Sequence, residues 1–406
     1  MNRRATFPAE INNALAGPLS QLQLHVNVQK RHPSGPPYGL YVAFPTIMHS
    51  NLVSLNLMSR ALESQPASYI DQLRNLVVRS TKLETLRIMG TRVFESWQAH
   101  HGRMPPLKEL YLGRWSTSPR SPGRPNHDPN IWDFSRLRKV SSKYESGLWN
   151  SSTFMGSFSS QFVAGLKSLE YSPCPRMGSL PPTNVEVKHH KQTNQDLIRL
   201  INDNDEIEEL LITCYFASEI VPAITSRVGP TLKALRLRSP DFLDPDTSLE
   251  NVVALRMSCS MLTDLEISIM FPDRVEVAHN VSTIHHIAFS SNVQLQEPEH
   301  PTFIIISELS EMRRLQRLKL VAQSPSYSVD QSPQMQKAII DIARNGKHGA
   351  PLSNLSLFFP YCKKAKSRYE SCVLDYSWDF LGKQTFKKSR DIANLDWLHP
   401  QCNDSV

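Results

Sequence analysis

The sequence predicts an α/β solenoid, a curved horseshoe with short parallel strands on its concave face and helices and loops on its convex face. Three observations carry this expectation. One apolar pattern recurs along nearly the whole chain. Stretches of helical periodicity lie between its copies. And 406 residues exceed an ordinary single domain, a length that stacked units reach because each contacts only its neighbours.

The pattern is apolar, two residues, apolar, one residue, apolar. Its clearest copies are Leu83/Leu86/Ile88, Leu107/Leu110/Leu112, Leu232/Leu235/Leu237, Leu262/Leu265/Ile267, Leu315/Leu318/Leu320 and Leu352/Leu355/Leu357. Further copies start at Leu19, Leu52 and Ile207, and weaker ones at Leu137, Leu166 and Ile284. These give about twelve irregular repeats, with starts about 30 residues apart on average. Side chains alternate faces along a strand. The last two apolar residues of each copy therefore point together into a core, and the first packs where the chain enters the strand. One unit cannot bury its apolar face alone, so units stack.

Helices are expected between the strands. Tyr69, Leu73, Leu76 and Val77 fall at helical spacing, as do Leu197, Ile198 and Ile201. The clearest candidate is 333–345. Ser332 suits its N-cap, Pro333 its first position and Gly346 the position past its end, with Met335, Ile339, Ile342 and Ala343 as its apolar stripe. Strand and helix alternating with right-handed crossovers give the horseshoe. An all-helical solenoid of the HEAT type fits less well, because the apolar segments are short and bounded by Pro, Gly and Ser.

Residues 19–360 are assigned to the solenoid, with an irregular loop at 114–133. The loop is rich in Pro, Ser and Arg and cannot form a regular element. Ser118 and Ser121, each followed by proline, make it either a phosphorylation site or a tolerated insertion. Residues 361–406 form a basic C-terminal cap and tail, in which Trp378, Phe380, Phe386 and Trp397 are expected to cover the last unit.

The net charge is +7 and the pI about 9.0. Residues 361–390 alone carry eight Lys/Arg against three acids. The rest of the chain is close to balanced, which argues against a basic nucleic-acid-binding body. The six cysteines are scattered and form no CxxC pair, so reduced, buried thiols are expected rather than a disulfide framework or a zinc site. The first residues lack the apolar core of a secretory signal, and no apolar run nears membrane-spanning length. A cytoplasmic or nuclear protein is expected, with no membrane partner.

Nothing in the chain points to chemistry. There is no GxSxG elbow, no phosphate-binding glycine loop and no reactive-cysteine signature. The His100-His101, His189-His190 and His285-His286 pairs lack the i, i+4 spacing that grips zinc on a helix. Asp241, Asp244 and Asp246 lack the rest of a calcium loop. No catalytic, cofactor-binding or metal-binding residue is assigned, and the chain is expected not to be an enzyme.

Binding is expected on the concave face, from the side chains that alternate with the buried ones. The candidates are Arg87, Tyr111, Lys139, Lys143, Glu170, Leu211, Arg236, Arg238, Glu266, Arg317, Lys319 and Phe358. Charges of both signs interleave here with aromatics. That mixture suits a folded protein partner better than a polyphosphate.

These repeats resemble the leucine-rich-repeat superfamily, and specifically the irregular repeats of F-box proteins. The resemblance covers about residues 15–360. Cys259-Ser-Met-Leu262-Thr-Asp-Leu265-Glu-Ile267 is similar to the cysteine-containing repeat subtype, and the family's asparagine after the last apolar position matches at Asn27 and Asn292. Phe7-Pro8-Ala9-Glu10-Ile11, followed by Leu15, resembles the opening of an F-box, but Gly17-Pro18 stops the helix. Residues 1–18 are thus a capping helix or an F-box remnant. The resemblance implies a monomeric protein-interaction module, like the substrate-recognition arm of a ubiquitin ligase receptor, with residues 7–15 as a contact for a Skp-type adaptor. Two alternatives stay open: a binder of nucleic acid or an anionic surface through the basic C-terminal segment, and a free-standing scaffold unrelated to ubiquitin.

Overall fold

Eleven of the twelve pattern copies coincide with β-strands. A computed structural model of the chain describes residues 22–25, 52–57, 67–89, 102–113, 133–145, 165–173, 184–214, 217–238, 247–269, 301–322, 339–341, 343–344, 347–363, 369–379 and 383–391. The architecture is α/β, built on open and mostly parallel sheet. It divides into two units, Met1–Cys174 with Gln195–Asn204, and Pro175–Asn194 with Asp205–Val406.

The first unit holds β1 (Leu22–His25), β2 (Leu52–Leu57), β3 (Thr85–Met89), β4 (Glu109–Gly113), β5 (Lys139–Glu145) and β6 (Ser168–Pro173). Each pairs in parallel with the next. In register, Leu55, Leu86, Leu110, Val140 and Leu169 form one buried row. Between β2 and β3 runs α1 (Ala67–Arg79), burying Leu73, Leu76 and Val77 as their spacing predicts. Helix α2 (Asn184–Asn202) likewise buries Leu197 and Ile201.

The second unit holds β7 (Glu209–Thr213), β8 (Ala234–Arg238), β9 (Asp264–Ile269), β10 (Arg317–Ala322) and β11 (Asn354–Lys363), again in parallel. Two buried rows cross them, Leu210–Leu235–Leu265–Leu318–Leu355 and Ile212–Leu237–Ile267–Leu320–Leu357, no member more than 2% exposed. Each such side chain contributes about 1.5–3 kcal/mol of burial. The connections are helical: a mixed 3-10, α and π stretch over 217–228, then α3 (Leu249–Ser258) and α4 (Pro301–Ser310). Ser248 caps α3 by accepting the Asn251 N–H.

One backbone device repeats at the strand starts. The residue after the first leucine of a copy turns its carbonyl toward the next strand, where two successive N–H groups donate to it. In the first unit Glu84 O accepts Lys108 and Glu109 N–H, Lys108 O accepts Arg138 and Lys139, and Arg138 O accepts Lys167 and Ser168. In the second, Glu208 O serves Lys233 and Ala234, Lys233 O serves Thr263 and Asp264, Thr263 O serves Gln316 and Arg317, and Gln316 O serves Ser353 and Asn354. The leucine N–H points back to close a turn, as in Leu83 to Ser80 O, Leu137 to Phe134 O, Leu262 to Cys259 O and Leu315 to Met312 O. At Leu166 the acceptor is a side chain instead: Asn204 Oδ1, at 3.1 Å, while Asn204 Nδ2 donates to Leu200 O at 2.8 Å.

β9 pairs directly with β10, Asp264 opposite Arg317; the copy from Ile284, between them in sequence, lies outside the described residues. The C-terminal segment, expected to cap the last unit, adds two strands to the sheet. β12 (Tyr369–Trp378) pairs antiparallel with β11, and β13 (Gln384–Asp391) antiparallel with β12. Within this hairpin Tyr376 stacks on Phe386 at 4.9 Å, and outside it the Arg344 guanidinium stands 5.7 Å from the Trp378 ring centroid. Of the helix expected over 333–345, residues 339–341 and 343–344 are helical, with Ile339 and Ala343 buried. Residues 1–18, most of the 114–133 loop and the Lys364–Arg368 basic run lie outside the described residues.

Two buried polar side chains should respond oppositely to replacement. Asn204→Leu strands the Leu166 N–H and the Leu200 carbonyl, and is expected to cost about 1–3 kcal/mol. Ser142 lies on the core face between Leu112 and Tyr171, and its hydroxyl has no partner among the described residues. Ser142→Ala is expected to raise stability by about 0.5–1 kcal/mol. Urea midpoints followed by circular dichroism measure both. A loss in Ser142→Ala as large as that in Asn204→Leu would show that the hydroxyl is satisfied after all.

Candidate functional site

The face of each sheet opposite the apolar rows carries the candidate residues. In the first unit the register aligns Asn56, Arg87, Tyr111, Ser141 and Glu170 across β2 to β6. The Arg87 guanidinium sits 4.0 Å from the Tyr111 ring centroid and the Lys139 ammonium 5.9 Å from it. The Tyr111 hydroxyl donates to Glu109 Oε2 at 3.0 Å, and Ser141 Oγ donates to Glu170 Oε2 at 2.8 Å. Burial, then the Glu109 carboxylate, push the Tyr111 phenol above its usual range, with Arg87 acting against them. Tyr111 is therefore a neutral, half-buried aromatic held by charges on both sides.

In the second unit one row runs Leu211, Arg236, Glu266, Lys319, Ser356 and Asp375, with Lys387 opposite Asp375 on β13. Glu266 is its centre. Arg236 Nε lies 2.8 Å from Oε2, Arg238 pairs with Oε1, and Lys319 Nζ lies 3.6 Å from Oε1. Arg238 and Lys319 also stand over the buried Phe358 ring, at 5.3 and 5.1 Å. Beyond Lys319, Ser356 Oγ donates to Asp375 Oδ1 at 2.5 Å. Arg317 pairs with Asp264 at the edge of the same face.

Three cations thus share one carboxylate in a half-desolvated place. Burial first, then Arg238 and Arg236, push the Lys319 ammonium down to about 8, with Asp375 pulling the other way. Burial and Arg236 push the Arg238 guanidinium down as well, though it stays a cation at neutral pH.

The placement of the predicted residues is therefore mixed. Arg236, Arg238, Glu266, Lys319 and Phe358 come together in one cluster, and Arg87, Tyr111 and Lys139 in another. Arg317 is two-thirds exposed. Leu211 is half-buried at the start of its row. Glu266 and Phe358 are buried, 8% and 5% exposed, because long cationic side chains lie over them. The backbone of Lys143 continues β5; its side chain is outside what the structure describes. Asp375 is a member of the site that the repeat pattern does not reach, since 369–378 carries no copy of it. The available signal is the alternation of Leu374 and Tyr376 with Asp375 and Ser377.

Among the described residues, no group of three or more His, Cys, Asp or Glu side chains converges to hold a metal ion, and no helix is long and apolar enough to cross a membrane. Cys214 and Cys259 are buried, and burial pushes the Cys259 thiol up to about 12, away from nucleophilic use. No protein-family model matches the chain, and no curated protein matches it either.

Two outcomes test the charge cluster. Glu266→Gln removes the carboxylate that three cations share, and is expected to cost about 2–3 kcal/mol in a urea titration. The unfolded chain keeps the Lys319 proton to about 10.4, while the folded protein releases it near 8. Between these values the unfolded state binds the extra proton, so stability rises with pH; below about 8 the contribution is flat. Lys319→Met should abolish that rise. Parallel pH dependence of wild type and variant from pH 8 to 10 would refute it.

Proposed function

We propose that the chain is a leucine-rich-repeat solenoid that works as a protein-interaction module, resembling the substrate-recognition arm of an F-box type ubiquitin ligase receptor. The observation that supports this best is the strand face itself. Its side chains form ordered rows, with Tyr111 held beside Arg87 in one unit, and a cation cluster over Phe358 in the other. Arginine and tyrosine held in place by neighbours are the residues that anchor protein interfaces. The interleaved Asp264, Glu266 and Asp375 carboxylates would repel successive phosphates of a nucleic acid. On this reading the partner is another protein, the chain acts without chemistry of its own, and residues 7–15 touch a Skp-type adaptor.

The test is affinity capture by the full-length chain from cell extract, read by mass spectrometry. Three variants are compared: Arg87→Glu with Tyr111→Ala, Lys387→Ser with Lys388→Ser, and deletion of residues 1–15. Partners lost in the first variant and kept in the second are expected. Partners lost only in the second would move binding to the basic C-terminal segment instead. Skp adaptor and cullin that disappear with the deletion would support the ligase reading; their absence from the wild-type capture would leave a free-standing scaffold.

A further inference from the structure

We propose that Lys319 is a modification site, a side-chain amine held over Phe358 and within reach of solvent that accepts acyl groups from small acyl thioesters. This goes beyond the protein-binding reading and does not rest on it. The geometry around the nitrogen carries it. An ammonium has three N–H donors and is best kept by water or oxygen acceptors on all of them. Lys319 is only 34% exposed, and the carboxylate it pairs with, Glu266 Oε1, lies 3.6 Å away, longer than a hydrogen bond. Glu266 is held more closely by Arg236, at 2.8 Å, and also pairs with Arg238. On another side stands the Phe358 ring, its centroid 5.1 Å from Nζ. Other described lysines are held differently. Lys233 Nζ meets Glu208 Oε2 at 2.5 Å, and Lys347 Nζ donates to the Met312 and His348 carbonyls.

The groups facing Lys319 are Arg236 and Arg238 from β8, Glu266 from β9, Phe358 from β11 and Asp375 from β12. Burial first, then the two arginines, outweigh Asp375, and the proton leaves near 8. At about pH 7.5 roughly a quarter of this amine is neutral, against about 0.1% of a lysine titrating at 10.4. A weaker base is also a weaker nucleophile. With a dependence like that of thiols, this returns about a factor of ten and leaves a net advantage of about tenfold. In the reaction the amine lone pair attacks the thioester carbonyl carbon. The C–N bond forms, the C–S bond breaks, and the sulfur leaves with its electron pair and takes one amine proton. The products are an amide and a thiol, and nothing is oxidised or reduced. The surroundings suit a neutral product. Addition of carbon dioxide would instead place a carbamate anion beside Glu266 and Asp375. The amide leaves Glu266 its two arginine contacts and ends the burial of a charge beside Phe358.

The experiment treats the full-length chain with S-acetyl-N-acetylcysteamine across a range of pH and follows acetylation of each lysine by peptide mass spectrometry. Lys383 and Lys387, exposed on the C-terminal hairpin, are the internal references. Near neutral pH Lys319 is expected to react about tenfold faster than either. Its rate should climb with pH and level off above about 8, while the references keep rising. In concentrated urea the lead should vanish. Arg236→Gln removes a cation and should slow Lys319 severalfold near neutral pH; Asp375→Asn removes the opposing carboxylate and should speed it. Circular dichroism checks that each variant folds, and the wild-type pH profile decides alone if one does not. A Lys319 rate no greater than that of Lys387, a rate that keeps rising in step with the references, or a lead that survives urea each overturns the site. So does a folded Arg236→Gln variant that reacts faster, or a folded Asp375→Asn variant that reacts more slowly.

Discussion

Much of the described fold depends on one carbonyl at the start of each copy of the apolar pattern. The residue after the first leucine of each copy offers its oxygen to two N–H groups of the next strand, and the leucine behind it is buried. The two parts need each other. Burial removes water from the turn, so the backbone groups there must find protein partners. The double acceptance supplies them, and it sets where each strand starts against its neighbour. Register follows from that start, and a slip of one residue would turn every leucine to the wrong face.

A lock this local tolerates connections of uneven length between strands. It involves three residues at the start of each strand and leaves the return path free. The step from β9 to β10 takes 53 residues between Asp264 and Arg317, yet Thr263 O still receives Gln316 and Arg317 as in the shorter steps. Loop length costs entropy only slowly. The return segments therefore vary from a 3-10, α and π stretch to α3 and α4 while the strands hold one register. The ladder stops where its direction changes. Ser353 O, next in the series, accepts from Trp378 of the antiparallel β12, and β13 then presents Lys387 and Lys388 along the outer strand, charges that discourage further pairing.

The strands are legible in the sequence because burial there is written in residue type. Leucine at three spaced positions, recurring along the chain, marks a strand with one covered face. The helices α1 and α2 are legible for the same reason. Three things are not. The β12–β13 hairpin breaks the pattern, and its Leu374/Tyr376 alternation is too short to stand out in a segment full of lysine. Asn204 does a backbone's work for Leu166 across 38 residues, and nothing local marks it. On the polar face, alternation shows which residues leave the core but not how much water they keep. It assigns Glu266, Ser268 and Phe358 to an open surface, yet all three are covered. Over Glu266 and Phe358 the cover comes from arginine and lysine stems on neighbouring strands, a consequence of register that no single strand contains.

That cover is also what turns a row of charges into a site. Isolated ion pairs in water contribute little and select nothing. Glu266 is different because Arg236, Arg238 and Lys319 reach it from two strands at once, in a place partly closed to solvent. The same closure makes an excess cation costly, which is why Lys319 holds its proton less firmly than a lysine in water. The fold sustains that cost with the leucine rows beneath it.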